Sequence, residues 1–362
     1  MKVLAIAIAT AVVVLSQLFL PGQVRAASAS PKPAANGASN LTTSPITTDL
    51  LVKPGETRST TLQIRNNGST PISIGIQLKT FKANGSAGQA SIINTPASDP
   101  SLSYVKFSKN IFTAEPGVFT PVEMTVSLPK DAELGYYYAV LFKPVLPSNA
   151  PVNTNTYTLS NAILVLVDSD SANEQRKLAI AGFSASKKVY EYLPASFDVK
   201  VRNDGNIYVP PRGVIFIGRD EAVTKPIASL ELNKASGRVL PNSTRDYTLS
   251  WNDGFPRYEA QTVAGQPVLD KKNQPVMHLQ YRFSDSDKFR YGKYYGRLAL
   301  VYNNGQRDVP LYAVVSFWVI PWKLILIVLA VVLLQVLFVY ALLRYRRLYR
   351  RSRVYSAKHH EE

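Results

Sequence analysis

Apolar and polar residues alternate in short segments through most of the chain. Residues 60–65, 71–78 and 122–128 alternate with a period of two, which is the pattern of strands with one face in a core. Away from the two ends, no stretch of ten or more residues combines a helical period with freedom from Pro and Gly. The pattern therefore predicts an all-β folded region ending in a last strand at residues 311–320.

The order of turns and strands occurs twice. An Asn-x-Gly turn begins at Asn66 and again at Asn203, 137 residues later, and a Gly-Tyr strand begins at Gly135 and again at Gly292, 157 residues later. The second copy therefore has about twenty additional residues, for which the Pro- and Gly-rich stretch near 256–275 is the predicted insertion loop. We predict two tandem immunoglobulin-like β-sandwiches.

The two longest apolar runs lie at the ends of the chain. Residues 3–20 form an apolar run after Lys2, and small residues follow it, which predicts a signal peptide; an uncleaved anchor is the alternative. Residues 324–343 contain Gln335 as the only strongly polar side chain. This run is long enough for one transmembrane α-helix. Trp318 and Trp322 precede this run, and basic residues follow it, beginning with Arg344, Arg346 and Arg347.

These patterns divide the chain into predicted segments. The boundaries are a signal peptide at 1–26, a flexible lead at 27–43, a first sandwich at 44–168, a linker at 169–177, a second sandwich at 178–320, a transmembrane helix at 324–343 and a basic tail at 344–362. Cations beside a span stay in the cytoplasm. We therefore expect a single-pass protein of the plasma membrane, with an extracellular N-terminus and a cytoplasmic C-terminus.

The composition limits the ligands and the catalytic mechanisms that this chain can have. The formal net charge is +16, but seven basic residues lie in the tail, where stop-transfer and contact with anionic lipid account for them without a nucleic-acid partner. The chain has no Cys and three His, which excludes disulfides and cysteine catalysis. No nucleophile elbow, zinc motif or phosphate loop occurs, so we expect a non-enzymatic protein without a cofactor. The lack of Cys in an exported chain favours a bacterial envelope.

The order of these elements resembles the WxL-interacting surface proteins of Gram-positive bacteria. The resemblance rests on Val52-Lys53-Pro54-Gly55-Glu56, the Asn-rich turn, the Gly-Tyr-Tyr strand, the second sandwich, the single span and the Arg-rich tail. It implies a peptidoglycan-binding sandwich, a second sandwich that binds a host protein, and a role in adhesion.

Two groups of residues are candidate contacts for a wall polymer. Tyrosine rings can stack on sugars or pack in a core, and the candidates are Tyr136, Tyr137, Tyr138, Tyr294 and Tyr295. Lys79 and Lys82, with Lys106 and Lys109, can attract anionic polymer or form an ordinary solvated surface. For a metal, Asp168, Asp170, Asn173 and Glu174 are weak candidates for binding calcium at the domain junction, with a polar linker as the alternative.

The leading functional hypothesis is a membrane-anchored surface protein that binds wall polysaccharide or a surface protein through its sandwiches. The alternatives are an envelope-assembly or chaperone-like protein that adds a strand to a client, and a subunit of a secretion or adhesion apparatus.

Overall fold

The computed structural model describes residues 41–132, 135–145, 161–171 and 173–358, with side chains as far as residue 347. The predicted signal peptide (1–26) and residues 27–40 of the predicted lead lie outside these residues. Strand begins at residue 41, so residues 41–43 are not part of a flexible lead. Leu41 is buried in the core of the first sandwich, and that burial is what orders this end of the predicted lead.

Ten strands and a short helix form the first sandwich. They are β1 (Leu41–Ser44), β2 (Thr47–Leu51), β3 (Thr57–Asn66), β4 (Ile72–Asn84), β5 (Gln89–Ile93), α1 (Pro100–Ser103), β6 (Val105–Phe107), β7 (Ile111–Ala114), β8 (Phe119–Ser127), β9 (Tyr136–Pro144) and β10 (Asn161–Asp168). One sheet has the order β1-β3-β8-β6, and the other has the order β2-β10-β9-β4-β5, with β7 also paired to β4.

Eight strands form the second sandwich. They are β11 (Leu178–Ala185), β12 (Val189–Tyr190), β13 (Ala195–Asn203), β14 (Arg212–Gly218), β15 (Ala228–Leu232), β16 (Thr244–Trp251), β21 (Gly292–Asn303) and β22 (Asp308–Val319). The sheets have the orders β11-β13-β16 and β12-β22-β21-β14-β15. The segment between β16 and β21 forms β17 (Arg257–Ala260), β18 (Thr262–Val263), β19 (Gln266–Pro267), β20 (Met277–Gln280) and a 3-10 helix (Phe283–Lys288).

The insertion is larger and more ordered than the predicted loop near 256–275. β17 pairs antiparallel with β20, and β18 pairs with β19. Residues 277–280 return to pair with residues 257–260, so the folded insertion extends well beyond residue 275.

Eight strands of the first sandwich have the same pairing order as the eight strands of the second, which confirms the prediction of tandem immunoglobulin-like domains. In each copy the first strand pairs antiparallel in one sheet, and the chain then crosses to pair parallel with the last strand of the other sheet. β1 pairs with β3 and β2 with β10; β11 pairs with β13 and β12 with β22.

Each sandwich has its own apolar core, built from the inward positions of the alternating strands. The first core contains Leu62, Ile64, Met124 and Phe142. The second is more aromatic: the rings of Trp251 and Tyr294 are 5.1 Å apart, and those of Phe197 and Phe317 are 5.3 Å apart.

A third buried cluster joins the two sandwiches. Phe81, Ala139 and Leu166, on the outer face of the β2-β10-β9-β4-β5 sheet, pack against Ile207 and Tyr208 of the loop after β13. The linker is therefore not the only connection between the domains, because apolar side chains of both are removed from water together.

The last described element is one long helix, α2 (Trp322–Lys358), and two residues separate it from the end of β22. Among the described residues, the 26-residue segment Trp322–Arg347 is long and apolar enough to cross a membrane, and its most apolar 18-residue window has a mean hydropathy of 3.0. None of this segment is buried in the protein.

Candidate functional site

The tyrosines of β9 divide between the core and the domain contact. Tyr138 is fully buried, and its hydroxyl donates to the Ser101 carbonyl at 2.8 Å. Tyr136 stacks on Tyr138 with a centroid distance of 6.3 Å and meets the edge of Tyr104. The prediction that Tyr138 stacks on a sugar is therefore wrong, because the first core encloses its ring.

Tyr137 points to the opposite face and belongs to the cluster between the sandwiches. Its hydroxyl accepts from the Tyr208 backbone N–H at 3.2 Å, and its ring meets the edges of Phe81 and Tyr208. Burial raises the pKa of Tyr137 above its usual value. Its ring faces the second sandwich rather than a free surface.

The second pair of tyrosines also splits between two faces of a strand. Tyr294 is fully buried beside Trp251 and Phe317, with the Arg219 guanidinium 3.9 Å from its ring centroid. A sugar-stacking role is therefore wrong for Tyr294 as well. Tyr295 is half-buried on the other face of β21, where the Lys293 ammonium lies 4.8 Å from its ring centroid.

The candidate lysines do not form one patch. Lys79 donates to Asn94 Oδ1 at 3.0 Å and to the Thr95 carbonyl at 3.3 Å. Lys82 is exposed, but it lies three residues further along β4 and so points to the other face of the strand. The structure does not bring these two ammonium groups together.

The cleft between the two sandwiches has a volume of about 270 Å³, and Arg238 and Arg245 line it. Arg238 forms an ion pair with Asp49 of the first sandwich. Arg245 donates to the Arg238 carbonyl at 3.0 Å and lies against Gly88 of the β4–β5 hairpin. Both guanidinium groups therefore contribute to holding the sandwiches together.

The acidic residues at the domain junction surround an arginine. Arg176 donates to Asp168 Oδ2 at 2.6 Å and to Glu174 Oε2 at 2.9 Å. Asp170 turns back, so that its backbone N–H donates to Asp168 Oδ1 at 3.0 Å. Asn173 contacts the second sandwich instead, where its carbonyl accepts from the Asn206 side chain at 2.9 Å.

The arginine supplies the positive charge that a cation would otherwise provide to these two carboxylates. Within the described residues, no three His, Cys, Asp or Glu side chains are grouped as metal ligands. Burial raises the pKa of Glu174 to about 7, the nearby Asp168 carboxyl adds to the increase, and Arg176 opposes it. The junction is thus a candidate for pH-dependent stability.

The outer edge of β22 is mostly unpaired within the described part of the chain, although β11 of the opposite sheet lies close to β22. On one side β22 pairs with β21 over its whole length, from Asp308 to Val319. On the other side, the only described strand that pairs with it is β12, over Trp318 and Val319. From Asp308 to Phe317 this edge has no paired strand among the described residues.

The direction of the free backbone groups follows from the two bonds that β12 does make. The Trp318 N–H donates to the Lys188 carbonyl at 2.9 Å, and the Ile320 N–H donates to the Tyr190 carbonyl at 2.8 Å. The β21–β22 ladder runs without a register shift, so backbone groups at every second residue point the same way. The N–H groups of Tyr312, Val314 and Ser316 therefore point outward.

The corresponding edge of the first sandwich is covered. β2 pairs with β10 over five residues, Leu164 to Asp168, whereas β12 covers only two residues of β22. The alternation at 311–320 predicts the last strand but not its free edge. Pro310 is the sequence signal that could have indicated the edge, since proline occurs in sheets mainly where its missing N–H faces outward.

The predicted anchor residues lie at the ends of the apolar helix. Trp318, near the end of β22, and Trp322, the first residue of α2, are both exposed, and so are Arg344, Arg346 and Arg347 further along the helix. This arrangement places aromatic and basic side chains at opposite ends of a segment that could span a bilayer.

No protein-family model matches this chain, and no curated protein sequence matches it. Among solved structures, the class 5 fimbriae chaperone CfaA is similar over 75% of this chain and 98% of its own, with 13% identity and a TM-score of 0.37. The Pseudomonas aeruginosa CupB2 chaperone is similar over 73% of this chain and 96% of its own, with 10% identity and a TM-score of 0.30.

A complex from Acinetobacter baumannii is similar to the same extent. It is the CsuC-CsuE chaperone-tip adhesion subunit pre-assembly complex of archaic chaperone-usher Csu pili, similar over 75% of this chain and 97% of the matched chain, with 13% identity and a TM-score of 0.32. At this identity and these scores, the similarities assign no activity, ligand or partner to this chain.

Proposed function

We propose that this chain is a membrane-anchored, non-enzymatic binding protein of the bacterial envelope that takes up an extended segment of a partner protein along β22. The helix α2 spans the membrane, both sandwiches lie outside the cell and the basic end of the helix lies in the cytoplasm. This function includes an assembly or chaperone-like role on a surface protein. The observation that carries it is the free edge of β22.

The chemistry of that edge suits an extended peptide. The outward N–H groups of Tyr312, Val314 and Ser316, with the carbonyls of the same residues, can form the ladder of an additional strand. The side chains of Tyr312 and Val314 are exposed on the outer face of the sheet, where alternate side chains of an added strand would lie beside them. Pro310, which has no N–H, ends the usable edge on the side away from α2.

Wall polysaccharide, the other ligand class considered, has less support. Tyr138 and Tyr294 are in the cores, and Tyr137 packs against the second sandwich. Half-buried Tyr295 is the remaining ring with an outward position on β21. A protein partner is therefore the ligand class we propose, and the resemblance to WxL-interacting proteins is compatible with it.

The proposal is tested by removing one backbone N–H, that of Val314. Val314→Pro removes an outward N–H without removing a bond to β21, and Val314→Thr is the matched control that keeps the N–H. A display library of random dodecapeptides is selected on the purified full-length protein in detergent. We expect the selected peptides to lose at least tenfold in affinity on Val314→Pro and to bind Val314→Thr as they bind the unchanged chain.

Hydrogen exchange then locates the binding. The backbone amides of Tyr312, Val314 and Ser316 should gain protection when a selected peptide binds, while thermal unfolding shows that both variants keep their fold. Selection of no peptide above background, or equal affinity of the peptides for both variants, would show that β22 is not a strand-addition site.

A further inference from the structure

The transmembrane helix is joined firmly to the second sandwich. Two residues separate β22 from α2, and the Ile320 N–H donates to the Tyr190 carbonyl. Lys323, in the first turn of α2, forms an ion pair with Glu191 at 2.8 Å, and the Tyr258 hydroxyl donates to the same carboxylate oxygen at 2.9 Å. The start of the helix therefore has a defined position relative to the insertion between β16 and β21.

That insertion displays aromatic side chains. Phe283 is 76% exposed, Tyr291 60% and Tyr281 55%. Phe255 contacts the rings of Phe283 and Tyr281 at centroid distances of 5.6 and 6.4 Å, and Phe289 contacts that of Tyr291 at 5.8 Å. We call these five residues the aromatic collar. Several exposed rings in contact with one another are unusual on a surface that faces only water.

The collar lies beside the start of the helix. Phe289 and Tyr291 line an open groove of about 370 Å³ together with Pro321, Leu324, Ile325, Val328 and Leu329. Leu329 is seven residues beyond Trp322, or about 10 Å along a helix axis. The Phe255 N–H donates to the Lys288 carbonyl at 3.0 Å, which joins the Phe283 end of the collar to Phe289.

Three basic side chains near the collar have acidic partners, whereas the Arg219 guanidinium lies 5.6 Å from the Tyr291 ring centroid and donates to the Tyr291 carbonyl. Lys288 and Arg290 pair with Asp253 at 3.1 and 3.0 Å, and Arg282 pairs with Glu259 at 3.0 Å. These ion pairs reduce the charge that the collar could offer to an anionic ligand. Recognition by the collar is therefore mainly aromatic and apolar.

We propose that the aromatic collar is a second membrane contact, in which Phe283, Phe289 and Tyr291 rest in the interfacial layer of the bilayer that α2 crosses. This rests on the membrane anchoring proposed above. The occupant is a lipid surface because the groove is continuous with the first two turns of the spanning helix, at the depth where aromatic rings collect. The contact would hold the second sandwich against the membrane and set the direction in which the edge of β22 faces.

The chain has no Cys, so single-cysteine variants of the full-length protein can be labelled at one place. Phe283→Cys reports on the collar, Val336→Cys on the middle of the helix and Val118→Cys on the first sandwich; Val336 and Val118 are 60% and 58% exposed. Each variant carries an environment-sensitive fluorophore in phosphatidylcholine nanodiscs, with nitroxide-labelled lipid as quencher. A thermal unfolding curve checks that each variant is folded.

We expect shallow nitroxides to quench the label at 283, deep nitroxides to quench the label at 336, and neither to quench the label at 118 by more than a few per cent. The quenching at 283 should change less than twofold when half of the lipid is replaced by phosphatidylglycerol.

Each departure from this result has one meaning. Absence of quenching at 336 would overturn the membrane anchoring itself. Quenching at 336 without quenching at 283 would overturn the collar and leave the anchor intact. A requirement for phosphatidylglycerol would overturn the apolar recognition. Shielding of the label at 283 from aqueous iodide without quenching by lipid would show a protein occupant instead.

Discussion

One asparagine in each sandwich forms hydrogen bonds with the backbone of the turn that it begins and with the backbone of a second segment. Asn203 Nδ2 donates to the carbonyls of Ile207 and Val239 at 2.7 and 2.8 Å, and its Oδ1 accepts from the Gly205 N–H at 2.8 Å. Asn66 makes the equivalent three bonds to Thr70, Ala114 and Gly68. Both asparagines are buried, and a buried polar group without a partner is costly. The repeated Asn-x-Gly motif thus has a structural role.

At the residue scale, Asn203→Asp should destabilise the protein by about 2–4 kcal/mol. The carboxyl keeps the acceptor for Gly205, but an oxygen replaces the amide that donates to two carbonyls. Asn304→Asp is the matched control, because Asn304 Oδ1 only accepts, from the N–H groups of Gln306 and Arg307. Urea unfolding of the full-length protein measures both variants. Equal effects would contradict the role assigned to Asn203.

At the element scale, the β4–β5 hairpin of the first sandwich reaches the second. The Asp246 N–H donates to the Ser86 carbonyl at 2.7 Å. Gly88 has a φ of +74°, and a Cβ there would lie 2.5 Å from the Arg245 guanidinium. Gly85 in the same hairpin has a φ of +60° with no heavy atom within 4 Å of a Cβ. The hairpin therefore contacts Arg245 at Gly88 and not at Gly85.

These two glycines separate backbone strain from packing. Alanine at either position has the cost of a left-handed conformation, about 1–2 kcal/mol. Gly88→Ala should cost about 1 kcal/mol more than Gly85→Ala, since Arg245 has to leave its bond to the Arg238 carbonyl. Unfolding curves of the two variants give the difference. If both variants lose the same stability, the hairpin does not depend on the contact with Arg245.

At the scale of the whole molecule, the two sandwiches are held together by a buried apolar cluster, by Arg238 and Asp49, and by the acidic junction around Arg176. The junction carries a titratable group whose pKa differs between the folded and unfolded chain. The pKa of Glu174 is about 7 in the folded protein and about 4.5 in the unfolded chain. Folded protein therefore binds more protons than unfolded protein between these pH values.

The contribution of Glu174 to the free energy of unfolding should accordingly be largest below about pH 4.5 and be lost as the pH rises through 7, a change on the order of 1–2 kcal/mol. Glu174→Gln should remove that part of the pH dependence, whereas Glu231→Gln, at an exposed position, should retain it. Urea unfolding at several pH values tests this. A wild-type slope that Glu174→Gln leaves unchanged would exclude Glu174 as its source.

The sequence by itself determined the all-β class, the duplication and the apolar helix. Strand alternation, the Asn-x-Gly turn and a twenty-residue apolar run are local signals, readable without knowing which strands pair. Alternation also showed that Tyr137 and its neighbour Tyr138 point to opposite faces of one strand. It could not show that the face of Tyr137 would be covered by the second sandwich.

Only the tertiary structure decided what lies against each exposed position. β2 covers β10 whereas β12 leaves most of β22 free, and Arg176 rather than an ion from solution lies between Asp168 and Glu174. The aromatic residues of the insertion are brought beside α2 in the same way. Such pairings join residues far apart in the chain, and their energies depend on packing and desolvation at the place where they meet, which periodicity does not encode.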